Sequence, residues 1–215
     1  MVNTAQTAVL LFGDREAPAA LADLAAQRVD ETAGIDTALQ GHRRLVVVGA
    51  DADLATVLTR LLRAEAFDVE VGYVPRRATP ATRAYRLPAG RRAARRASRG
   101  AAHRVPLIRD DTGTVLVGAA EWLPAGDERL LHGEAIVDDT VLFDGDAPGV
   151  LIEPTAALPG LRARVQSGWS RRWISGRAAQ LGTPGADVVR DGVPGRRAVK
   201  RSTFYRHTEG WLVVR

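Results

Sequence analysis

The first half of the chain alternates short apolar runs with longer stretches of helical spacing. Apolar runs at 8–12, 45–48 and 69–74 each end at a glycine or a proline, which is typical of buried strands. Residues 17–29 have the spacing of a helix. A second predicted helix carries five apolar residues on one face: Leu54, Val57, Leu58, Leu61 and Leu62. Strands that alternate with helices predict a small α/β domain with parallel strands.

The pattern changes after an arginine- and alanine-rich stretch at 90–100. From there on, short β-rich runs are separated by turn pairs such as Asp-Gly, Pro-Gly and Thr-Gly. The runs are 105–108, 115–117, 135–137, 140–143, 150–152, 186–189 and 211–214. This spacing predicts an antiparallel β-sandwich domain. We therefore place an α/β domain at 1–100 and the β-sandwich domain at 101–215.

Composition narrows the class of protein. The 215 residues include no cysteine, which excludes disulfides and thiolate metal sites. No window approaches the roughly 18 consecutive apolar residues of a membrane span, and the first twelve residues lack the pattern of a secretory signal. We therefore predict a cytoplasmic protein. The net charge is +5 and Lys200 is the only lysine, so nearly every positive charge is a guanidinium, which binds phosphates and carboxylates through paired hydrogen bonds.

The segment at 45–62, LVVVGADADLATVLTRLL, joins a predicted strand to a predicted helix through a tight turn. Free backbone N–H groups and the helix dipole meet at such a turn, and together they favour anions. Glycine lets a phosphate approach the backbone there, and Gly49 is the only glycine of this turn. From the residues alone, the turn is either a structural connection or a phosphate site.

The order of features around this turn resembles the diacylglycerol kinase catalytic-domain family of lipid kinases, which is related to NAD kinases. That family has G-G-D-G-T followed by a helix of pattern L-N-E-V. This chain has Gly49-Ala50-Asp51-Ala52-Asp53 followed by Leu54-Ala55-Thr56-Val57. Gly72, Pro75 and Leu87-Pro88 match later family positions, and Asp191-Gly192 matches the start of a D-G-E motif. The resemblance covers about residues 40–214.

The resemblance implies that the α/β domain is nucleotide-binding-like, that a ligand binds in the cleft between the two domains, and that ATP and Mg²⁺ are the cofactors. It implies nucleotide contacts at five positions: Gly49, Asp51, Asp53, Pro75 and Thr79. Asp51 and Asp53 would also hold the metal, since carboxylate oxygens suit Mg²⁺. The same two aspartates are alternatively ordinary helix caps, and Asp191-Gly192 is alternatively an ordinary hairpin turn.

The departures from the family pattern fall on positions that matter for phosphoryl transfer. Ala50 and Ala52 add methyl groups where the family backbone meets phosphates, and Asp53 adds a negative charge in place of a threonine. Val193 replaces the glutamate of D-G-E and cannot accept a proton. We therefore expect a degenerate site that binds a nucleotide or an anionic phospholipid-type ligand. Transfer of phosphate from ATP to a lipid hydroxyl would be weak or absent, and we assign no catalytic residue.

The stretch GRRAARRASRG at 90–100 predicts a helix with a strongly basic face. Its arginines are Arg91, Arg92, Arg95, Arg96 and Arg99. This anion patch is either a solvated face or a docking surface for anionic lipids or nucleic acid. Without a strong apolar face, any membrane contact would be peripheral and electrostatic. The alternative function is therefore a non-catalytic adaptor that binds nucleic acid or a partner protein through this helix. A homodimer formed through the β domain is a further hypothesis.

Overall fold

The computed structural model describes residues 6–167 and 172–215 and divides the chain into two compact units. The first unit contains the chain up to Val105 together with Glu209–Arg215, and the second contains Pro106–Thr208. The first unit has a largely parallel sheet with helices, and the second has a large, separate antiparallel sheet. The predicted fold class, α/β followed by an antiparallel β-sandwich domain, is therefore confirmed.

The helices and strands are numbered in chain order. The helices are α1 (Thr32–Gly41), α2 (Asp51–Arg63), α3 (Pro80–Tyr85) and α4 (Gly90–Arg99). The strands of the first hundred residues and their immediate continuation are β1 (Thr7–Phe12), β2 (Ala25–Val29), β3 (Arg44–Val48), β4 (Glu70–Tyr73) and β5 (Ala102–Val105). The remaining strands are β6 (Ile108–Asp110), β7 (Val115–Leu116), β8 (Ala120–Pro124), β9 (Leu131–Val137), β10 (Thr140–Ala147), β11 (Val150–Pro154), β12 (Leu161–Val165), β13 (Ile174–Gly176), β14 (Ala178–Arg190), β15 (Val193–Pro194), β16 (Val199–Arg206) and β17 (Trp211–Val214).

The sheet of the first unit has the strand order β2-β1-β3-β4-β17-β5. All neighbours are parallel except β5, which runs antiparallel to β17. Side chains alternate between the two faces, so Val46 and Val48 of β3 point to the face on which the alanines of α4 pack. On α2, the apolar stripe predicted from the sequence is buried, and Leu54, Leu58 and Leu61 are fully enclosed.

Two elements near the start of the chain differ from the predictions. Residues 17–29 were expected to form a helix, but they contain a short 3-10 turn (Ala19–Leu21) and then strand β2. The parallel pairing of Ala25–Val29 with β1 outweighs the helix propensity of this segment. Helix α1 was not predicted, because its segment buries only Ile35, Ala38 and Leu39 and its periodicity is weak.

Two predicted strands also change their assignment. The run at 105–108 was expected to be one strand, but Pro106 lies between β5 and β6, which belong to different sheets. The run at 211–214 was assigned to the β-sandwich domain. It is instead β17, and it pairs with β4 and β5 in the sheet of the first unit.

The second unit is built around β14, which is 13 residues long. One edge of β14 pairs with β16, and the opposite edge pairs with β9 near its start and with β8 near its end. The core contains Trp122 and Phe204, whose ring centroids are 6.0 Å apart and whose ring planes are tilted against each other. Trp122 Nε1 donates a hydrogen bond to Ser202 Oγ at 2.9 Å.

The helices of the described residues are too short or too polar for a membrane span.

Candidate functional site

The turn between β3 and α2 is compact because Gly49 has no side chain. A Cβ at residue 49 would lie 2.7 Å from the Cβ of Asp53, closer than side chains tolerate. Gly49 is itself buried, whereas Ala50, the residue that precedes α2, is exposed. The glycine predicted as a phosphate contact is therefore already required by the packing of Asp53 against the turn.

Asp53 occupies the position at which the helix N-terminus would receive an anion. Its Oδ2 accepts the Ala50 N–H at 2.7 Å, and Ala50 has no side-chain oxygen with which to cap the helix itself. The same oxygen accepts a hydrogen bond from Arg15 Nη1 at 3.0 Å. The negative charge that replaces threonine is thus paired with a guanidinium and with the start of the helix dipole.

Asp51 has a different environment, since its side chain is directed into the protein and the residue is only 7% exposed. Its Oδ1 accepts a hydrogen bond from the Tyr73 hydroxyl at 2.7 Å, and its Oδ2 accepts the Ala81 N–H at 3.0 Å. Burial, together with the hydrogen bond to Asp51, raises the pKa of Tyr73 well above that of an ordinary tyrosine. Asp51 therefore joins α2 to the end of β4 and to the first turn of α3.

The carboxylates of the two aspartates are largely engaged in contacts within the protein. Each oxygen of Asp51 accepts a protein hydrogen bond, and Asp53 Oδ2 accepts two. Among the described residues, no group of three or more histidine, cysteine, aspartate or glutamate side chains is placed to hold a metal ion. Three of the four carboxylate-oxygen positions at the turn are therefore already engaged within the protein, and the assignment of Asp51 and Asp53 to Mg²⁺ stays a prediction.

A cavity of about 470 Å³ opens beside the turn, at the carboxyl ends of the parallel strands. The connection after β1 leads to β2 on one side, whereas the connection after β3 leads to β4 on the other, so the strand order reverses direction here. Open α/β sheets bind ligands at such a switch point. We name this the switch-point cavity. It is lined by Asp14, Arg15, Glu16, Pro18, Val48, Val74, Pro75, Arg76, Gly90 and Arg91.

The switch-point cavity is modestly positive. Three guanidinium groups face two carboxylates among its lining residues, and Arg15 is already paired with Asp53. Arg76 and Arg91 are exposed and make no side-chain hydrogen bond or ion pair with the residues that the structure describes. The cavity therefore offers two free guanidinium groups to an anionic ligand.

The two remaining predicted nucleotide contacts have separate positions. Pro75 lines the switch-point cavity, and its carbonyl accepts the Gly90 N–H at 2.8 Å, which brings the start of α4 to the cavity. Thr79 is the N-cap of α3, where its Oγ1 accepts the Thr82 N–H at 3.2 Å. Thr79 is therefore a helix cap, and it does not line this cavity.

The D-G-V sequence at 191–193 has a structural role in the second unit. Asp191 and Gly192 form the turn between β14 and β15, and both have positive φ angles, as a type I′ turn requires. The Asp191 carboxylate accepts the backbone N–H groups of Val117, Gly118 and Ala119 at 3.1, 2.6 and 3.1 Å. The hairpin interpretation of these residues therefore describes the structure, and Val193 is an exposed strand residue.

Sequence reasoning missed three residues of this region: Arg15, Tyr73 and, as a cavity residue, Arg76. Arg15 follows β1 just after Gly13, and Arg76 follows β4 after Pro75. Residues that follow parallel strands meet at one edge of the sheet, so this rule could have drawn attention to Arg15. The hydrogen bond from Tyr73 to Asp51 joins residues 22 positions apart, and no local pattern indicates it.

Helix α4 has the basic face that the sequence predicted. Arg91, Arg92, Arg95, Arg96 and Arg99 are exposed, whereas the alanines on the opposite face, Ala93, Ala94 and Ala97, are buried. Arg44 holds the C-terminal end of α4, because its guanidinium donates to the carbonyls of Ala97, Ser98 and Gly100 at 3.0 to 3.3 Å. Its Nε also donates to Glu70 Oε2 at 2.6 Å.

With this geometry established, the structure can be compared with known proteins. It is similar to the crystal structure of a diacylglycerol kinase from Bacillus anthracis str. Sterne, with a TM-score of 0.74, 12% sequence identity, and coverage of 97% of this chain and 96% of that chain. The chain has the fold of diacylglycerol and NAD kinase structures. An NAD kinase from Archaeoglobus fulgidus in complex with ATP gives a TM-score of 0.64 at 11% identity, covering 97% of this chain and 93% of that one.

A yeast NADH kinase complexed with NADH is also similar, with a TM-score of 0.59, 10% identity, and coverage of 99% of this chain and 84% of that chain. No family model matches the sequence, and no curated protein matches it significantly. The kinase-like fold expected from the motifs is confirmed. At these identities the similarity is one of fold.

Proposed function

We propose that the chain is a kinase-fold protein that binds a nucleotide or a phospholipid-type anion at the switch-point cavity, with weak or no phosphoryl transfer to a lipid hydroxyl. The observation that carries this proposal is the pair of unpartnered guanidinium groups, Arg76 and Arg91, in a cavity at the switch point of the sheet. The fold shared with a kinase in complex with ATP makes nucleotide the first ligand to test. A cytoplasmic location remains a prediction.

The chemistry of the turn supports binding without efficient catalysis. Asp53 already accepts the Ala50 N–H, so this donor is not free for a triphosphate. Phosphoryl transfer also needs metal charge to neutralise the transferring phosphate, and both oxygens of Asp51 already accept hydrogen bonds within the protein. We therefore propose that the anion is held by Arg76 and Arg91 and that its affinity does not depend on Mg²⁺.

A calorimetric and thermal-shift titration tests this proposal. ATP is titrated into the full chain in EDTA and, separately, in excess Mg²⁺. We expect stabilisation at millimolar ATP in EDTA, with no increase when Mg²⁺ is added, because ligand binding raises stability as the logarithm of ligand concentration over Kd. The Arg76→Gln, Arg91→Gln double variant should lose most of this shift. Arg43→Gln with Arg63→Gln is the matched control, because both side chains are exposed and lie outside the cavity.

Two outcomes would contradict the proposal. Absence of any stabilisation at millimolar ATP removes the nucleotide ligand, and the same titration with a short-chain phosphatidic acid then tests the phospholipid-type anion. A radiolabelled ATP assay with diacylglycerol in mixed micelles tests turnover, and we expect no signal above the protein-free control. A kcat of about 1 s⁻¹ or more, which is ordinary for kinases, would contradict the proposal of a degenerate site.

A further inference from the structure

A second concave surface lies along the basic face of α4, and its lining residues differ from those of the switch-point cavity. It is a recess of about 620 Å³. Its lining residues are Arg86, Leu87, Pro88, Arg92, Arg95, Arg96, Arg99 and Gly100. We name it the arginine groove. Five of its eight lining residues are arginines, and the other three are uncharged.

The arginines of the groove have no internal partners. All five are exposed, and none makes a side-chain hydrogen bond or ion pair with any residue in the described ranges. Neighbouring like charges on a helix repel one another, so this arrangement costs stability unless an anion neutralises it. The groove is therefore a surface whose charges are available to an external anion.

The sequence around the groove contains no acidic residue that could neutralise it locally. Between Val71 and Arg109 there are eleven arginines and neither aspartate nor glutamate. The rest of the chain then carries a net charge of −6, although the whole chain carries +5. The whole positive excess is thus concentrated in one segment, and ten of its eleven arginines belong to the first unit, as in proteins that attract a polyanion.

The backbone of the groove is also held rigidly, which suits contacts with a partner whose charges are regularly spaced. Ala93, Ala94 and Ala97 are at most 1% exposed. α4 lies so close to β4 that a Cβ at Gly72 would be 2.7 Å from the Cβ of Ala97. Because Arg44 binds the last carbonyls of the helix, both the buried face and the C-terminal end of α4 are held in place.

We propose that the arginine groove binds the sugar–phosphate backbone of a nucleic-acid duplex without reading its bases. Arg92, Arg95, Arg96 and Arg99 extend over about 10 Å of helix axis, which matches about three phosphates of one strand at 3.4 Å each. Among the residues that the structure describes, no aromatic side chain lines the groove, so the groove shows no stacking platform of the kind that single-strand binders use. Arginine provides the paired donors that phosphate oxygens accept.

The same observations disfavour a bilayer as the partner. The exposed large apolar side chains among the described residues, Leu130, Val141, Leu158 and Val193, all belong to the second unit, so the unit that carries the groove has none of this kind to insert into lipid. The proposal does not depend on ligand binding at the switch-point cavity, because Arg76 and Arg91 do not line the groove.

Fluorescence anisotropy with a labelled 20-base-pair DNA duplex of mixed sequence tests the proposal across a series of NaCl concentrations. The groove variant changes Arg92, Arg95, Arg96 and Arg99 to Gln in the full chain. Each lost phosphate contact lowers the slope of log K against log salt by about 0.9, so we expect a slope shallower by about 3 to 4 and binding at least ~100-fold weaker at 0.1 M salt. Binding should be the same for duplexes of different sequence.

A charge-matched control separates the groove from net charge. The control variant changes Arg43, Arg129, Arg196 and Arg197 to Gln, four exposed residues outside the groove. We expect the control to keep at least two-thirds of the wild-type slope. Should the groove variant fail to fold, the same positions changed to Lys keep the charge, and we expect the slope to persist with weaker binding, since lysine lacks the fork of arginine donors.

Three results would overturn the proposal. One is a wild-type chain that does not bind the duplex at low salt. The second is an equal loss of slope in the groove and control variants, which would mean that only net charge matters. The third is groove-dependent binding to vesicles of phosphatidylserine and phosphatidylcholine that exceeds duplex binding at equal phosphate concentration, which would identify a membrane surface as the partner.

Discussion

The sequence indicates an anion site both at the turn 49–53 and at the arginines of the groove. The structure treats the charges of these two regions in opposite ways. At the turn, Asp53 pairs with Arg15 and with the Ala50 N–H, and Asp51 is bound by Tyr73 and the Ala81 N–H. In the groove, five arginines have no partner among the described residues. Residues that match a family motif can therefore lie in a turn whose anion position is filled by the protein's own side chain, while a less specific run of charges remains available to a ligand.

The difference has a physical basis in burial. Asp51 is buried, and a buried carboxylate must be hydrogen-bonded, so its partners lie within the protein. The groove arginines are exposed, and water solvates them until a partner arrives. The predictions below test each side of this comparison.

The largest expected effect concerns the support of the groove. Arg44→Ala removes a buried guanidinium that binds Glu70 and three carbonyls at the end of α4. We expect the free energy of unfolding to fall by about 3 to 5 kcal/mol, because a carboxylate and several carbonyls lose their donor. Urea unfolding monitored by circular dichroism measures this change.

Arg43→Ala is the matched control for Arg44, because the neighbouring side chain is exposed. Exposed substitutions of this kind change stability by less than about 0.5 kcal/mol. An Arg44 variant as stable as the Arg43 variant would show that α4 does not depend on the Arg44 contacts.

The next effect concerns the buried side of the turn. Asp51→Ala leaves the Tyr73 hydroxyl and the Ala81 N–H without their acceptor inside the protein. We expect a loss of about 2 to 4 kcal/mol in the free energy of unfolding, since each buried unsatisfied group costs about 1 to 3 kcal/mol. The same urea experiment measures it, and a loss below 1 kcal/mol would mean that water replaces Asp51.

A smaller effect is expected at alkaline pH. Burial and Asp51 raise the pKa of Tyr73, so the folded protein keeps this hydroxyl protonated where the unfolded chain ionises it. The stabilisation is complete below the ordinary tyrosine pKa of about 10 and decreases above it by about 1.4 kcal/mol per pH unit. Stability of the wild type should therefore fall more steeply between pH 10 and 11 than that of Tyr73→Phe. Parallel curves for the two proteins would contradict the burial of this hydroxyl.

The smallest effect concerns the exposed side of the turn. Asp53→Ala removes the acceptor of the Ala50 N–H, and we expect a loss of about 1 kcal/mol, typical of a helix cap. The variant also releases Arg15 and removes a negative charge beside the switch-point cavity, so ATP should bind several-fold more tightly in the calorimetric titration. Asp53→Asn, which keeps an acceptor, is the control for stability. Unchanged or weaker ATP binding in Asp53→Ala would contradict the view that Asp53 occupies the anion position.

Much of the first unit could be predicted because its signals are local. The strands at 8–12, 45–48 and 69–74 and the apolar stripe of α2 correspond to observed elements. The secondary structure of residues 17–29 could not be predicted, because strand pairing with β1 outweighs their helix-forming composition. For the same reason the β17 strand was placed in the wrong sheet, since strand pairing between residues far apart in sequence leaves no trace in a local pattern.

The sequence by itself determined the alternation of strands and helices, the change to antiparallel β structure, and the basic face of α4, because periodicity and composition act within a few residues. Only the tertiary structure decided what the charged residues do. It placed Arg15 against Asp53, Tyr73 against Asp51, and Arg44 at the end of α4, and it left the groove arginines unpaired. Hydrogen bonds and ion pairs depend on distances between atoms that are brought together by the fold, and the order of residues along the chain does not contain those distances.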